Sequence, residues 1–153
     1  VLLVSASARL NRLYGRVLGQ LGTSLTYRQH RLLRRVSEGH ASMAELAALG
    51  NLTVPTVSES VEGLVRRGLL NREVNPQNRR QVLLSLTAEG REAKEAGDVA
   101  LQAVNDRLLR AVADEHRQVL HESLVALYDA ATDSFQQPDP TTAAAGAGRL
   151  TET

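Results

Sequence analysis

Leu3, Ala6, Leu10, Leu13, Val17 and Leu21 follow one another at steps of three or four residues. That spacing lines one face of a helix over about 1–21, with Arg9, Arg12 and Arg16 on other faces and Gly22 ending it. Thr26 is a good N-cap, and Gln29 three residues on completes a capping-box spacing. The helix that follows turns Leu32, Leu33 and Val36 inward, runs to about Glu38 and stops at Gly39. Ser42, with Glu45 at the matching position, opens a short helix over Met43–Leu49 that ends at Gly50. Thr53 caps the next helix. Pro55 is tolerated in its first turn because the early N–H groups have no helical partner. Val57, Val61, Leu64 and Val65 form its inner face, and Gly68 terminates it.

After Gly68 the period changes from about four to two. Leu70, Arg72 and Val74 alternate with Asn71 and Glu73; Val82, Leu84 and Leu86 alternate with Leu83 and Ser85. Two strands are therefore predicted on either side of the tip Asn75-Pro76-Gln77-Asn78. Thr87 caps a long helix in which Ala93, Ala96, Ala100, Val104 and Leu108 continue to about residue 112. Its length is roughly 25 residues, or about 37 Å at 1.5 Å per residue. Asp114 caps a final helix through Val119, Leu120, Leu124, Leu127, Tyr128 and Ala131. From Gln136 the composition turns to Pro, Thr, Ala and Gly without periodicity, so 136–153 reads as a mobile tail.

Two helices joined by a short turn, the second capped and followed by a hairpin, describe a winged helix-turn-helix over about 26–87. The fold class is mostly α with a small β-hairpin wing. The flanking helices, 1–25 and 88–134, form a separate helical region. The apolar stripe of the first has little nearby to bury it, which suits packing against a partner chain.

Composition agrees with helices packed on helices. Apolar residues make up 42% of the chain but aromatic ones only 3%, so the core is built from Leu, Val and Ala. The net charge of +1 conceals a gradient. Residues 1–80 hold 12 Arg against five acidic residues, and 81–153 hold six basic against 12 acidic, giving +7 and −6. One part of the molecule is expected to face a polyanion.

Other chemistries recede. The chain has no Cys, which removes disulfides, thiolate sensing and Cys-ligated zinc. No apolar run reaches the ~18–20 residues of a membrane span. The opening VLLVSASA is short and runs straight into arginines, unlike a signal peptide, so a cytoplasmic protein is expected. His30, His40, His116 and His121 are scattered, and the spacing of five between the last two does not align them on one helical face. No metal site, cofactor or enzymatic activity is expected, since neither a phosphate-binding Gly loop nor a His–carboxylate cluster is present.

The segments TVPTVSESVEGLVRRGLL, residues 53–70, and NPQNRRQVLLSLTAEG, residues 75–90, carry a resemblance. With the helix order around them, the chain looks like a member of the MarR family of bacterial transcription regulators over about 1–134. Leu86, Thr87 and Gly90 match the end of the family's wing. The resemblance implies a homodimer whose first and last helices interlock, with Leu3, Leu10, Leu13, Val17, Leu120, Leu124 and Leu127 at the interface. It implies two recognition helices in successive major grooves of a pseudo-palindromic double-stranded operator, with half-sites roughly 34–36 Å apart. It also implies a small phenolic or anionic effector where the dimer helices meet the DNA-binding lobe. Tyr14 and His30 are the residues expected to border it.

The outward set at the start of the helix capped by Thr53 is Pro55, Thr56, Ser58, Glu59 and Glu62. Thr56 and Ser58 hydroxyls can bond phosphates or base edges, and Pro55 can meet a thymine methyl. Glu59 departs from the family pattern; it can accept from a cytosine amino group or pair with an Arg. Arg79 and Arg80 sit at the wing, where a narrow minor groove favours guanidinium. Asn75 and Asn78 stand where the family often has Asp. Ser42 can present its hydroxyl and nearby N–H groups to a phosphate. Arg28, Arg31, Arg66 and Arg72 are expected to meet the DNA backbone or to pair with Glu38, Glu45 and Glu62. The leading reading is a ligand-responsive homodimeric repressor. Glu59 and the neutral wing tip keep a second reading open, a winged-helix module that binds protein.

Overall fold

The computed structural model describes residues 1–136, and the side chains of all of these except 79–81 and 135–136. The expected tail falls outside them, apart from Gln136. The chain divides into two compact units, Val1–Leu108 and a second beginning at Leu109. The first holds α1 (Leu2–Gly19), α2 (Tyr27–Ser37), α3 (Met43–Gly50), α4 (Val54–Arg66), β1 (Leu70–Asn75), β2 (Asn78–Leu86) and nearly all of α5 (Ala88–Leu109). The second holds α6 (Asp114–Gln136). Among the described residues, no helix is long and apolar enough to cross a membrane.

The helix starts follow the caps read from the sequence. Thr26 Oγ1 accepts from the Gln29 N–H at 3.1 Å while the Gln29 side chain accepts from the Thr26 N–H at 3.1 Å, a complete capping box. Ser42 and Thr53 each accept from the N–H three residues on. The box expected at Ser42 is only half formed. Glu45 Oε1 lies 2.7 Å from His40 Nδ1 and does not reach back to the cap. Gly39 and Gly68 have positive φ, as helix-ending glycines do. The stop after α3 differs: the left-handed residue is Asn51 (φ 48°), and Gly50 is still helical.

The core gathers Leu18, Leu25, Leu32, Leu33, Leu46, Val57, Val61, Leu64, Leu69, Leu70 and Leu84. Leu18 lies outside the stripe expected for α1, yet it is fully buried. The stripe itself is half-buried at Leu10, Leu13, Val17 and Leu21 and exposed at Leu3. The reason is that α1 ends at Gly19 and not at Gly22, and its last turn sets Leu18 against Gly97 of α5.

A similar correction applies to α5. Ala96 is exposed, and the buried positions are Gly90, Ala93, Gly97 and Val104. Both glycines are dictated by space. A Cβ at Gly90 would stand 1.9 Å from the Leu69 carbonyl oxygen, and one at Gly97 would stand 2.4 Å from His30 Cδ2. α5 also ends at Leu109, short of residue 112, and Asp114 is the first residue of α6 and not its cap. Asp114 instead pairs with Arg117 at 2.6 Å.

β1 and β2 pair antiparallel, with Leu70 opposite Leu86, Arg72 opposite Leu84 and Val74 opposite Val82. The register shifts at Val74/Asn75. The Leu84 N–H donates to Ala41 O at 3.2 Å, which ties the hairpin to the α2–α3 connection. At the hairpin base the Thr87 hydroxyl donates to Gly68 O at 2.7 Å and accepts from the Gly90 N–H at 2.9 Å.

Candidate nucleic-acid interface

The first turns of α4 carry a polar face of the helix-turn-helix. Val57, Val61 and Leu64 anchor α4 in the core, which leaves Pro55, Glu59 and Glu62 exposed and Thr56 and Ser58 half-buried. Thr53 Oγ1 accepts from the Thr56 N–H at 3.3 Å, and the two hydroxyls lie 2.8 Å apart. The Thr56 hydroxyl is thereby steered by the cap while its second site stays available for a phosphate or base edge. Ser60 donates back to Thr56 O at 3.1 Å. Glu59 forms no ion pair among the described residues.

Ser42 caps α3 by accepting from the Glu45 N–H at 3.2 Å, which leaves its own hydroxyl proton to give. Arg72 is exposed on β1. Arg79 and Arg80 fall in β2, just past the two-residue tip, and their side chains lie outside the described part. Asn75 Oδ1 accepts from the Gln77 N–H at 2.9 Å, so this amide braces the turn.

Among the described residues, Arg28, Arg31, Arg66 and Arg72 make no ion pair with Glu38, Glu45 or Glu62. Glu38 is bound by Arg34 at 3.0 Å and Glu45 by His40. Arg31 stacks over Tyr27, 5.8 Å from its centroid. Arg28, Arg31 and Arg35 instead line one cavity of about 290 Å³ with Asn11, Tyr27, Leu32 and Leu52. Like charges gathered without a carboxylate in the lining favour an anion.

Two further arginines tie the ends of α3 and α4 to other segments through main-chain carbonyls, and sequence reading missed both roles. Arg67, at the end of α4, donates to Ser24 O at 2.5 Å and to Gln29 Oε1 at 3.4 Å. Arg35, on α2, donates through Nη2 to Leu49 O at the end of α3.

Neither Tyr14 nor His30 is among the residues lining the Arg-lined cavity. The Tyr14 hydroxyl donates to Asn105 Oδ1 at 2.6 Å, and its ring lies 5.3 Å from that of Tyr27. Burial first, and then the Tyr27 phenol, push the Tyr14 pKa above its usual 10.0. His30 is 3% exposed, with Nε2 3.0 Å from Asp98 Oδ1. The contact is close but poorly directed, and neither ring nitrogen has a hydrogen-bond partner among the described residues. Asp98 also binds Lys94 at 2.9 Å, and that bond is the main reason the Lys94 pKa is raised. Tyr14 and His30 thus both sit where α1, α2 and α5 meet.

The apolar residues expected at a dimer interface divide by helix. On α1, Leu3 is exposed beside Leu2 and Val4. On α6, Leu120 is half-buried while Leu124, Leu127, Val119 and Tyr128 are exposed.

The profile of the MarR family matches residues 22–81, from the approach to α2 into β2. The chain is 34% identical over 96 residues to the uncharacterized HTH-type transcriptional regulator YdcH of Bacillus subtilis (strain 168). That match takes in 60% of this chain and 64% of the relative, so the chain spans a little under two thirds of that protein's length. A probable transcriptional regulator from Pseudomonas aeruginosa is 28% identical, with a TM-score of 0.68 over 80% of this chain and 93% of that one. Streptococcus pneumoniae FabT, solved in complex with DNA, superposes with a TM-score of 0.76 over 86% of this chain and 93% of its own. At 20% identity that likeness is one of fold.

Proposed function

We propose that the chain is a winged helix-turn-helix transcriptional regulator of the MarR family that binds double-stranded DNA as a homodimer and acts as a ligand-responsive repressor, a reading supported by the family match over residues 22–81. The observation that carries the reading is the first two turns of α4. They are fixed by Val57, Val61 and Leu64 and present Pro55, Thr56, Ser58 and Glu59 outward, as a helix must to enter a major groove. Ser42 and Arg72 supply backbone contacts on either side, and Arg79 and Arg80 supply the minor-groove contact from the wing.

Residues 26–87 form the DNA-binding part, and 1–25 with 88–134 the dimerisation part. The exposed leucines and valines of α1 and α6 are the surface that pairing would cover. The Arg-lined cavity supports a small anionic or phenolic effector. An effector acts by changing the separation of two recognition helices that a pseudo-palindromic site requires to be fixed.

The test is a footprint of the DNA flanking the gene. Protection of a pseudo-palindrome is expected, with affinity falling as salt rises at a log–log slope of about −0.9 per phosphate contacted. No protected site at moderate salt would refute the reading and favour a protein-binding winged-helix module, for which the exposed carboxylate of Glu59 is the supporting feature.

A further inference from the structure

We propose that Arg35 is a positioning residue for the recognition helix: it fixes the α3–α4 turn by binding the Leu49 carbonyl, and so sets where the first turns of α4 point. The inference rests on the DNA-binding reading above. The last four carbonyls of a helix have no helical partner. At the end of α3, Ala48 O is satisfied by the Asn51 N–H at 3.1 Å and Ala47 O by the Leu52 N–H at 2.9 Å. Leu49 O receives the Arg35 guanidinium from α2. A cation at a helix C-terminus also meets the negative end of the helix dipole.

Gly50 completes the arrangement. Its place in α3 is helical, so no unusual backbone requires glycine there. A Cβ at that position would stand 2.9 Å from Arg35 Nη1 and 3.0 Å from Leu52 Cδ1. Gly50 is the space in which the guanidinium sits. Thr53, the cap of α4, follows Leu49 by four residues, and Asn51 between them adopts the strained left-handed conformation. A short turn with one strained residue holds a single geometry only when its neighbours fix it. Arg35 fixes the α3 side of that turn as Arg67 fixes the far end of α4.

The experiment uses the full chain and the duplex that the wild type selects from a random-sequence pool. Three variants separate the roles. Arg35→Met removes the charge and the contact. Gly50→Ala keeps the charge but displaces the flexible guanidinium from Leu49 O. Arg35→Lys restores the charge with one donor group. Arg35→Met and Gly50→Ala are each expected to weaken binding to the selected duplex roughly tenfold. Their log–log salt slopes should match the wild type, because no phosphate contact is lost. Affinity for a scrambled duplex is expected to be unchanged in both. Hydrogen exchange should quicken at the amides of 51–54 and 56 and stay constant in α5, which also reads the effect in any variant with a lowered melting temperature. Arg35→Lys should recover part of the affinity.

A salt slope shallower by about 0.9 in Arg35→Met, with Gly50→Ala binding like the wild type, would make Arg35 a direct phosphate contact and overturn the proposal. Unchanged affinity and exchange in both variants would overturn it as well. A wild type that selects no duplex would refute the DNA-binding reading itself, and this inference with it.

Discussion

Gly90→Ala is the substitution that the structure marks as most damaging for its size. The added methyl would be placed 1.9 Å from the Leu69 carbonyl oxygen, and 2.9 Å from the carbonyl carbon. Ordinary carbon–oxygen contact lies above 3 Å, so the two segments must separate by more than an ångström. The obstacle is backbone, which has no rotamer to change. Separation stretches the Thr87 N–H bond to Leu69 O, now 3.3 Å, and the two bonds of the Thr87 hydroxyl. Overpacking costs roughly 1–3 kcal/mol. Loss of two hydrogen bonds adds about 1 kcal/mol each. Alanine's helix propensity returns up to about 1 kcal/mol. A net loss of about 2–4 kcal/mol is expected, near half the stability of a small domain. Urea denaturation at one fixed protein concentration measures it as a drop in midpoint at unchanged slope. Gly63→Ala is the matched control, since its Cβ would meet nothing closer than 3.8 Å. It should be neutral or stabilising. If Gly90→Ala costs no more than Gly63→Ala, the account of the hairpin base is wrong.

Other expectations can be checked in parallel. Arg80→Ala should weaken operator binding about tenfold and make the salt slope shallower, unlike the Arg35 variants; equal slopes would remove Arg80 from the DNA contact. Leu124→Glu on the exposed face of α6 should shift the chain from dimer toward monomer in sedimentation, and an unchanged mass would exclude that face from the interface. Tyr14→Phe should cost about 1 kcal/mol near neutral pH through the lost Asn105 bond. Since folding raises the Tyr14 pKa, the wild type keeps this advantage below pH 10.0 and loses it as pH climbs through the folded value. The difference between the two proteins should therefore shrink only on the alkaline side; a difference that grows there would contradict the sign.

What sequence reading could reach was set by range. Thr26, Ser42 and Thr53 act on amides three residues away, so their caps were legible as spacing alone. Val57, Val61 and Leu64 were legible because one helix face is enough to define them. Leu18, Gly90 and Gly97 owe their burial to segments distant in the chain, and no local period marks them. Gly50 reads as a helix stop because glycine usually is one. Its actual reason is a guanidinium 15 residues earlier in sequence. The polar face of α4 was legible in the same local way. The arginines that tie the ends of α3 and α4 to other segments bond carbonyls 14 and 43 residues away, and a hydrogen bond to a main-chain oxygen leaves no signature in the partner's side chain.

The seam between His30 and Gly97 constrains how this protein can change over time. The ring fills the space that a side chain at 97 would need, with its Cδ2 2.4 Å from the point where a Cβ would stand. The two positions are therefore one genetic unit. A lineage can enlarge residue 97 only after residue 30 has become smaller, and the intermediate must survive a temporary void beside Leu18. The reverse order collides at once. Homologues that replace this histidine with a small residue are the backgrounds in which alanine or serine at 97 can accumulate.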